Sequence, residues 1–414
     1  AEVNVLVQMQ AGNTAPNNIA SDNDLSQYYF SNISKEWQQK AAELQRTRLE
    51  RNTITETIPE MMVMEEMKQK RKAYILERGV YDNYGAEVQP DVPAAILPFG
   101  KDLPKNRLGL AKWLMDPKNP LTARVVVNRY WQTYFGTGLQ KNADNFGNQG
   151  GMPSHPALLD WLAIRFRESG WDVRAMQKLI VLSATYKQSS YASTELLKKD
   201  PENILLARGP AFRLTAEMVR DAALTASGLL SPTIGGASVK PYQPDGVWAV
   251  NSEVYHQDTG SALYRRSLYT FWRRTNPPPS MSTFDAPMRS SCTVQRQKTS
   301  TPLQALVLLN DPQFVEAAKV LAEKALANDN TVAGRILYCY RSLTARTPSP
   351  KEKNILEDLY AVQYEKFKKQ PAKMSGWLTA GAYKIKLKKD LQALAATTVV
   401  ASTIMNSDAF ITKR

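Results

Sequence analysis

The chain has 414 residues, enough for one large core or for two or three domains. Hydrophobic residues make up 43% and charged residues 22%, as in ordinary globular proteins, which excludes a disordered, collagen-like or membrane-spanning class. The formal net charge of +14 is typical of a protein with an acidic partner, and also of a positive surface without a specific partner. Because no arginine-rich arm, RNA-binding signature or zinc finger accompanies the charge, the sequence favours the second interpretation.

Residues 1–100 are predicted to form an N-terminal portion that contains a helix, short strands and extended chain. The run Val3–Val7 suggests an edge strand, and the pattern from Ser34 to Thr53 predicts a helix. Ala73–Leu76 predicts a further short strand. Prolines recur from Pro90 to Pro98 and exclude a continuous helix there, so we predict a Pro-rich extended segment.

From residue 101 onward the sequence predicts a helical domain. Asn119-Pro120 predicts the start of a helix that ends at Gly136, and two further helices over residues 154–170 and 173–185 complete a bundle. Other helix starts are predicted from capping residues, three of them followed by proline: Thr215, Thr301-Pro302, Asp311-Pro312 and Ser349-Pro350. An apolar helix from Lys389 to Met405 is too short and too rich in threonine to span a bilayer, which indicates a core helix.

One stretch near the middle, Ala262 to Arg274, has the aromatic and β-branched residues of a strand. The predicted fold class is therefore mainly α. A multi-helix, bundle-like domain covers residues 101–414, with a small β or extended N-terminal portion over residues 1–100 and a short β element near the middle.

The same stretch supplies the candidate binding residues. In a strand, Arg266 and Trp272 would lie on one side, and Arg265, Tyr269 and Arg273 near the other. Arginine beside aromatic rings suits stacking on bases or sugars, and equally suits a buried arginine–aspartate network with Asp285 as counter-ion, which we favour. The candidate ligand- or partner-binding residues are Arg265, Arg266, Tyr269, Trp272, Arg273, Asp285, Arg289, Arg296 and His256.

Histidine and cysteine are rare in the chain. His155 and His256 are the only histidines, which excludes a histidine-rich metal site. Cys292 and Cys339 lie far apart and outside any C-x-x-C pattern, which excludes a cysteine zinc site and leaves either one disulfide or two free thiols. We therefore predict no catalytic, metal or cofactor site in this chain.

A pair of carboxylates and a strip of lysines offer two further candidates. Glu217 and Asp221 stand four residues apart on one predicted helix, and such pairs are usually solvated or paired with arginines such as Arg213 and Arg220. Lysines crowd the stretch from Lys366 to Lys389, which is typical of solvated surface and also of a docking site for an anionic partner.

Five phrases link the chain to a known family: NPLTARVVVNRYWQTYFGTGL, PSHPALLDWLAIRF, GWDVRAMQKLIVLSATYKQSS, RRSLYTFWRRTNPPPSM and TPLQALVLLNDPQFVEAA. Together, in this order, they resemble the C-terminal planctomycete-specific domain, a domain of unknown function in planctomycete cytochrome c domain-containing proteins. The resemblance covers about Ile75 to Arg414. It departs where Gln295, Lys298 and Ser300 stand at the family's usual Arg, Arg and Asn, which weakens a strict anion site that Arg296 and Lys298 keep in part.

The resemblance implies an exported protein of the periplasm or cell surface with further domains, among them a cytochrome c-like one. No C-x-x-C-H occurs in this chain, so haem c is expected only in a domain outside it. We therefore interpret the chain as a non-catalytic helical scaffold or interaction module of a cell-envelope protein. The alternatives are an accessory part of an extracellular redox or polysaccharide-processing enzyme, or nucleic-acid binding, which rests on charge alone. The expected partners are other domains or subunits of an envelope complex, an anionic glycan or an acidic protein.

Overall fold

A computed structural model describes residues 26–249, 254–387 and 389–414. The described chain is mainly helical, with two short two-stranded sheets, which confirms the predicted fold class. The chain divides between Asp91 and Val92 into two compact units. The predicted strand over Val3–Val7 lies outside the described residues.

The first unit contains one long helix and a β-hairpin. Helix α1, Lys35–Thr57, begins where the side chain of Ser34 accepts a hydrogen bond from the Trp37 amide, so the predicted helix is confirmed. No residue of α1 is buried. Strands β1, Ala73–Leu76, and β2, Tyr84–Val88, pair antiparallel.

The second unit begins with a helical bundle. Its helices are α2 (Arg107–Leu114), α3 (Thr122–Phe135), α4 (Pro156–Glu168), α5 (Val173–Leu182), α6 (Ala184–Lys187) and α7 (Thr194–Lys199). Val127 and Trp131 of α3 pack with Leu159 and Phe166 of α4 and with Ile180 of α5 in one apolar cluster. The predicted three-helix bundle is therefore present, with the third predicted helix divided into α5 and α6.

The larger core of this unit surrounds one buried helix. The remaining helices are α8 (Ala216–Ser227), α9 (Pro279–Thr283), α10 (Pro302–Asn310), α11 (Pro312–Asn328), α12 (Val332–Thr344), α13 (Pro350–Lys369), α14 (Ser375–Thr379), α15 (Leu391–Met405) and α16 (Asp408–Ile411). Helix α15 packs against α11, α12 and α13, as its apolar sequence predicts. Its buried Thr397 and Thr398 each donate a hydrogen bond to the carbonyl four residues earlier, which satisfies their hydroxyls inside the core. No described helix is long and apolar enough to cross a membrane.

Helix starts follow the predicted capping residues. The side chains of Thr215, Thr301, Asp311 and Ser349 each accept a backbone amide at the start of α8, α10, α11 and α13. Asn119 lies three residues before the first residue of α3, and its side-chain oxygen accepts the amides of Leu121 and Thr122.

The predicted strand over Ala262 to Arg274 is wrong. Two 3-10 turns, Gly260–Tyr264 and Ser267–Tyr269, occupy the stretch, with only isolated bridges to Ser231 and Val239. The Ser267 amide donates to Asp221, and the carbonyls of Leu263 and Arg265 accept from Arg220. Those backbone groups are therefore engaged by side chains instead of a strand ladder. A short strand does occur elsewhere, at β3, Phe212–Arg213, which pairs antiparallel with β4, Thr412–Lys413.

Candidate functional site

The predicted binding residues do not form one site. The structure places them in several separate groups of contacts. Arg265 is 8% exposed, and its guanidinium donates to the carbonyls of Thr233, Gly235 and Ala237. It stacks on Tyr269, whose ring centroid lies 3.8 Å away and whose hydroxyl accepts the Gly235 amide at 2.8 Å. These two predicted residues hold the 233–237 loop.

Asp285 is not the counter-ion of these arginines, which corrects that prediction. Its carboxylate accepts the amide and hydroxyl of Thr299 at 2.7 and 2.9 Å. The residue has a φ of 59°, a left-handed conformation that short polar side chains tolerate. Asp285 therefore holds Thr299 in the segment that leads into α10, and the arginines have other partners.

The buried arginine network is centred on Arg220. The sequence indicated this residue only as a partner for acidic neighbours. Arg220 is 3% exposed and donates to Gln313 at 2.7 Å and to the carbonyls of Leu263 and Arg265 at 2.8 Å each. Asp221 lies 3.7 Å from it. The buried arginine network exists, but carbonyl and amide oxygens supply most of its acceptors.

The remaining predicted residues lie at the surface. Trp272 donates to the Met288 carbonyl at 3.2 Å and carries the Arg289 guanidinium 4.6 Å above its ring. Arg273 lies 5.0 Å from the ring of Trp248. Arg266 and His256 are exposed. The last of the nine, Arg296, lines a large cleft.

This cleft has a volume of about 970 Å³ and is built from three parts of the second unit. One wall is the segment of residues 293–298. A second is the end of α3 with Arg129, and the third is Phe212 with the first turn of α8, which carries Glu217. Gly136 ends α3 with a φ of 84°, and a side chain there would overlap the ring of Phe212. A glycine at this helix end therefore lets the walls meet.

Positive charges in and beside the cleft outnumber negative ones. Arg296 donates to Glu217 at 2.7 Å. Burial opposes ionisation of Glu217, but this hydrogen bond and the Arg296 charge outweigh burial and lower its pKa. Lys298 has no carboxylate partner among the described residues; it donates to the Gly136 carbonyl at 3.0 Å and lies 4.6 Å from the centre of the Phe212 ring. Burial lowers its pKa.

Further cations flank Phe212 behind the wall. Lys413 lies 5.9 Å from the Phe212 ring and 4.4 Å from that of Tyr186, and burial lowers its pKa. Arg213 donates to two neutral acceptors, Ser300 at 3.0 Å and Gln304 at 2.7 Å. The field in the cleft is therefore set by several cations against the carboxylates of Glu217 and Asp144.

The rest of the lining can both donate and accept hydrogen bonds. Four threonines and three glutamines face the cleft: Thr133, Thr137, Thr215, Thr293, Gln132, Gln295 and Gln297. Hydroxyl and amide groups of this kind suit a ligand rich in hydroxyls. The sequence identifies Arg296 and Lys298 through the altered motif at residues 295–300, but it does not connect that motif with Arg129 and Phe212, since only the tertiary fold brings α3 and β3 to it.

The chain's two histidines and two cysteines form no metal site among the described residues. His155 lies at the start of α4, with its Nδ1 3.1 Å from the Ser154 hydroxyl. Across the described ranges, 26–249, 254–387 and 389–414, no group of three or more His, Cys, Asp or Glu side chains is placed to hold a metal ion. Cys292 and Cys339 are both free thiols, the first exposed and the second buried.

Comparison with known proteins places the chain in a family without assigning it an activity. The family model PSD1, described as a protein of unknown function (DUF1553), matches residues 106–360, more than half of the chain. No curated protein matches the chain, and no solved structure does. The matched range contains α3, β3, α8 and the 293–298 segment, and so all three walls of the cleft. The chain belongs to the PSD1 family of proteins of unknown function.

Proposed function

We propose that this chain is an interaction module that binds an acidic glycan in the cleft between α3, α8 and residues 293–298. The observation that carries the proposal is the lining of the cleft. Hydroxyl and amide groups that can donate and accept hydrogen bonds line it together with Lys298, a cation without a carboxylate partner among the described residues. A cleft of about 970 Å³ would hold several sugar units. The ammonium of Lys298 and the guanidinium of Arg129 would receive a sugar carboxylate, and Phe212 offers an apolar ring surface.

A nucleic acid or a strongly acidic peptide suits the cleft less well. Three cations, Arg129, Arg296 and Lys298, line it beside the carboxylates of Asp144 and Glu217. Arg296 already donates a hydrogen bond to Glu217. A regular series of phosphates or glutamates would meet those carboxylates, whereas sugar hydroxyls would donate to them. The balance therefore favours a ligand with many hydroxyls and few negative charges.

The cellular setting is part of the same proposal. The resemblance to the C-terminal domain of planctomycete cytochrome c domain-containing proteins supports export to the periplasm or cell surface. There the chain would act as a non-catalytic helical scaffold beside other domains or subunits, with any haem c in a domain outside it. Glycan binding also agrees with an accessory role to a polysaccharide-processing or redox enzyme, in which this chain would present the substrate.

Replacement of two lining cations tests the cleft. We expect the purified chain to bind a xylo-oligosaccharide of about six sugars that carries a single glucuronic acid, and Arg129→Gln with Lys298→Gln together to weaken binding by about 100-fold, since each charge-assisted hydrogen bond contributes roughly a factor of ten. Titration calorimetry measures the affinity. Neither residue has a carboxylate partner among the described residues, so the folded state should persist.

A matched pair of cations elsewhere is the control. Arg174→Gln with Lys178→Gln removes the same charge from exposed positions of α5 and should leave affinity within about twofold. Equal loss in both double variants would show non-specific attraction and refute the cleft. Binding of hexaglutamate as tightly as the oligosaccharide with one uronic acid would instead identify the ligand as an acidic peptide.

A further inference from the structure

A second charged region is the segment of residues 366–389, none of which lines the cleft. Its 24 residues contain eight lysines and no Asp, Glu or Arg. Seven of these lysines are described and all are exposed; we call them the lysine surface: Lys366, Lys368, Lys369, Lys373, Lys384, Lys386 and Lys389. Among the described residues, only Lys368 has a carboxylate within reach, that of Glu365 at 4.0 Å. The surface is therefore almost uncompensated positive charge.

Part of this surface lies on a strap, residues 378–387, whose backbone is fixed from below by helix α11. The buried ammonium of Lys319 donates to the carbonyls of Leu378, Ala380 and Tyr383 at 3.3, 2.6 and 2.9 Å. Glu323 accepts the amides of Lys386 and Leu387 at 2.6 and 2.8 Å, and the fully buried Glu316 accepts the Tyr383 amide at 2.5 Å. Charged side chains of α11 thus form the hydrogen bonds to the strap's backbone that a neighbouring strand would otherwise form.

The strap alternates in burial. Tyr383, Ile385 and Leu387 are half-buried, while Lys384 and Lys386 between them are exposed. Because the backbone is fixed, the segment that carries those lysines does not have to be ordered on binding, which lowers the entropy cost of docking.

The aromatic side chains of this region are buried or half-buried, so none presents a fully open ring face to a ligand. Trp377 packs against the main apolar core, and the hydroxyl of Tyr383 donates to Glu323 at 2.8 Å. Base and sugar recognition relies on open aromatic faces, and bidentate recognition of carboxylates relies on arginine. A surface of lysine ammonium groups alone matches diffuse negative charge, as presented by a layer of lipid headgroups.

We propose that the lysine surface docks the chain onto an anionic lipid bilayer by electrostatic attraction, without insertion. This contact is separate from glycan binding in the cleft. The strap lysines would lie against the phosphates, and physiological salt would screen the attraction over roughly 8 Å.

Vesicle sedimentation tests the proposal. We expect the full chain to bind vesicles of phosphatidylcholine with one third phosphatidylglycerol at low salt, and not vesicles of phosphatidylcholine alone. Lys384→Gln, Lys386→Gln and Lys389→Gln together should weaken the partition by on the order of 100-fold, since each lysine near an anionic surface contributes about fivefold. The exposed control triple Lys118→Gln, Lys178→Gln and Lys198→Gln removes the same charge and should reduce the partition far less.

Two outcomes would overturn the inference. One is equal loss of vesicle binding in both triple variants, which would assign the attraction to net charge. The other is failure to bind anionic vesicles together with binding to a soluble sulfated glycan through the same lysines. The cleft variant with Arg129→Gln and Lys298→Gln should keep vesicle binding, so failure of the glycan proposal and failure of this one remain distinguishable.

Discussion

Arg220 shows how a buried charge in this protein is satisfied by neutral oxygens. Its guanidinium joins α8 to the two 3-10 turns and to the start of α11 through Gln313 and two backbone carbonyls. Burial lowers the pKa of Arg220, since the charged form loses its hydration, although nearby Asp221 and Asp311 oppose this. The side chain therefore joins three segments that no hydrophobic contact alone would orient.

Truncation of this arginine should be costly. Arg220→Met leaves the carbonyls of Leu263 and Arg265 without their donor in the interior, and we expect a loss of about 3–5 kcal/mol in the free energy of unfolding. Urea denaturation followed by circular dichroism measures it. The neighbouring exposed Arg266→Met is the matched control and should change stability by no more than about 0.5 kcal/mol. Similar losses in both variants would contradict the structural role of Arg220.

At the scale of elements, the strap and α11 form a unit that depends on one glycine. Gly381 has a φ of 72°, and a side chain there would overlap the carboxylate of Glu316, which is 0% exposed. Tyr242 and Tyr264 donate to the same carboxylate at 3.0 and 2.9 Å. A disturbance at Gly381 therefore reaches the loops that carry both tyrosines.

We expect Gly381→Ala to destabilise the protein by at least about 2 kcal/mol, because it combines a strained backbone with a displaced buried carboxylate. Thermal unfolding measures the change, and hydrogen exchange should locate it in the strap amides. Gly376 lies in α14 with open space around it, so Gly376→Ala should be neutral or stabilising by roughly 0.5–1 kcal/mol. A Gly381→Ala protein with an unchanged midpoint would show that the strap is not held as described.

Elements could be predicted where local chemistry decides them. Thr301, Asp311 and Ser349 cap helices because each side chain satisfies an amide within three residues, and α15 is recognisable from its apolar length. The stretch after Ala262 could not be predicted, since its conformation depends on Arg220 and Asp221, more than forty residues earlier. The cleft could be predicted only in part for the same reason. Residues 295–298 are recognisable from their motif, whereas Arg129 and Phe212 reach the cleft only through tertiary packing.

At the scale of the whole molecule, the two cysteines report separately on surface and core. Cys292 is exposed, while Cys339 is 0% exposed in α12 and burial raises its pKa to about 12. Near pH 8 the Cys339 thiol is thus almost entirely protonated and also inaccessible, so it should not react in the folded state.

A thiol reagent near pH 8 should therefore label one cysteine quickly and the second only as the main core opens. The slow rate should rise with urea together with global unfolding. Cys292→Ser should abolish the fast phase alone. Rapid labelling of both thiols, or reaction of neither until a reductant is added, would contradict the free and unequal cysteines described here.

The pairing of β3 with β4 makes one wall of the cleft depend on residues that are distant in sequence. Phe212 lies opposite Lys413 in this small sheet, about two hundred positions later. During synthesis from the N-terminus, α3, α8 and the 293–298 segment all leave the ribosome before the strand that closes behind Phe212. A nascent chain that stops short of Thr412 can thus form its helices yet lack the completed wall, so the proposed glycan binding would become available only once translation has passed that point.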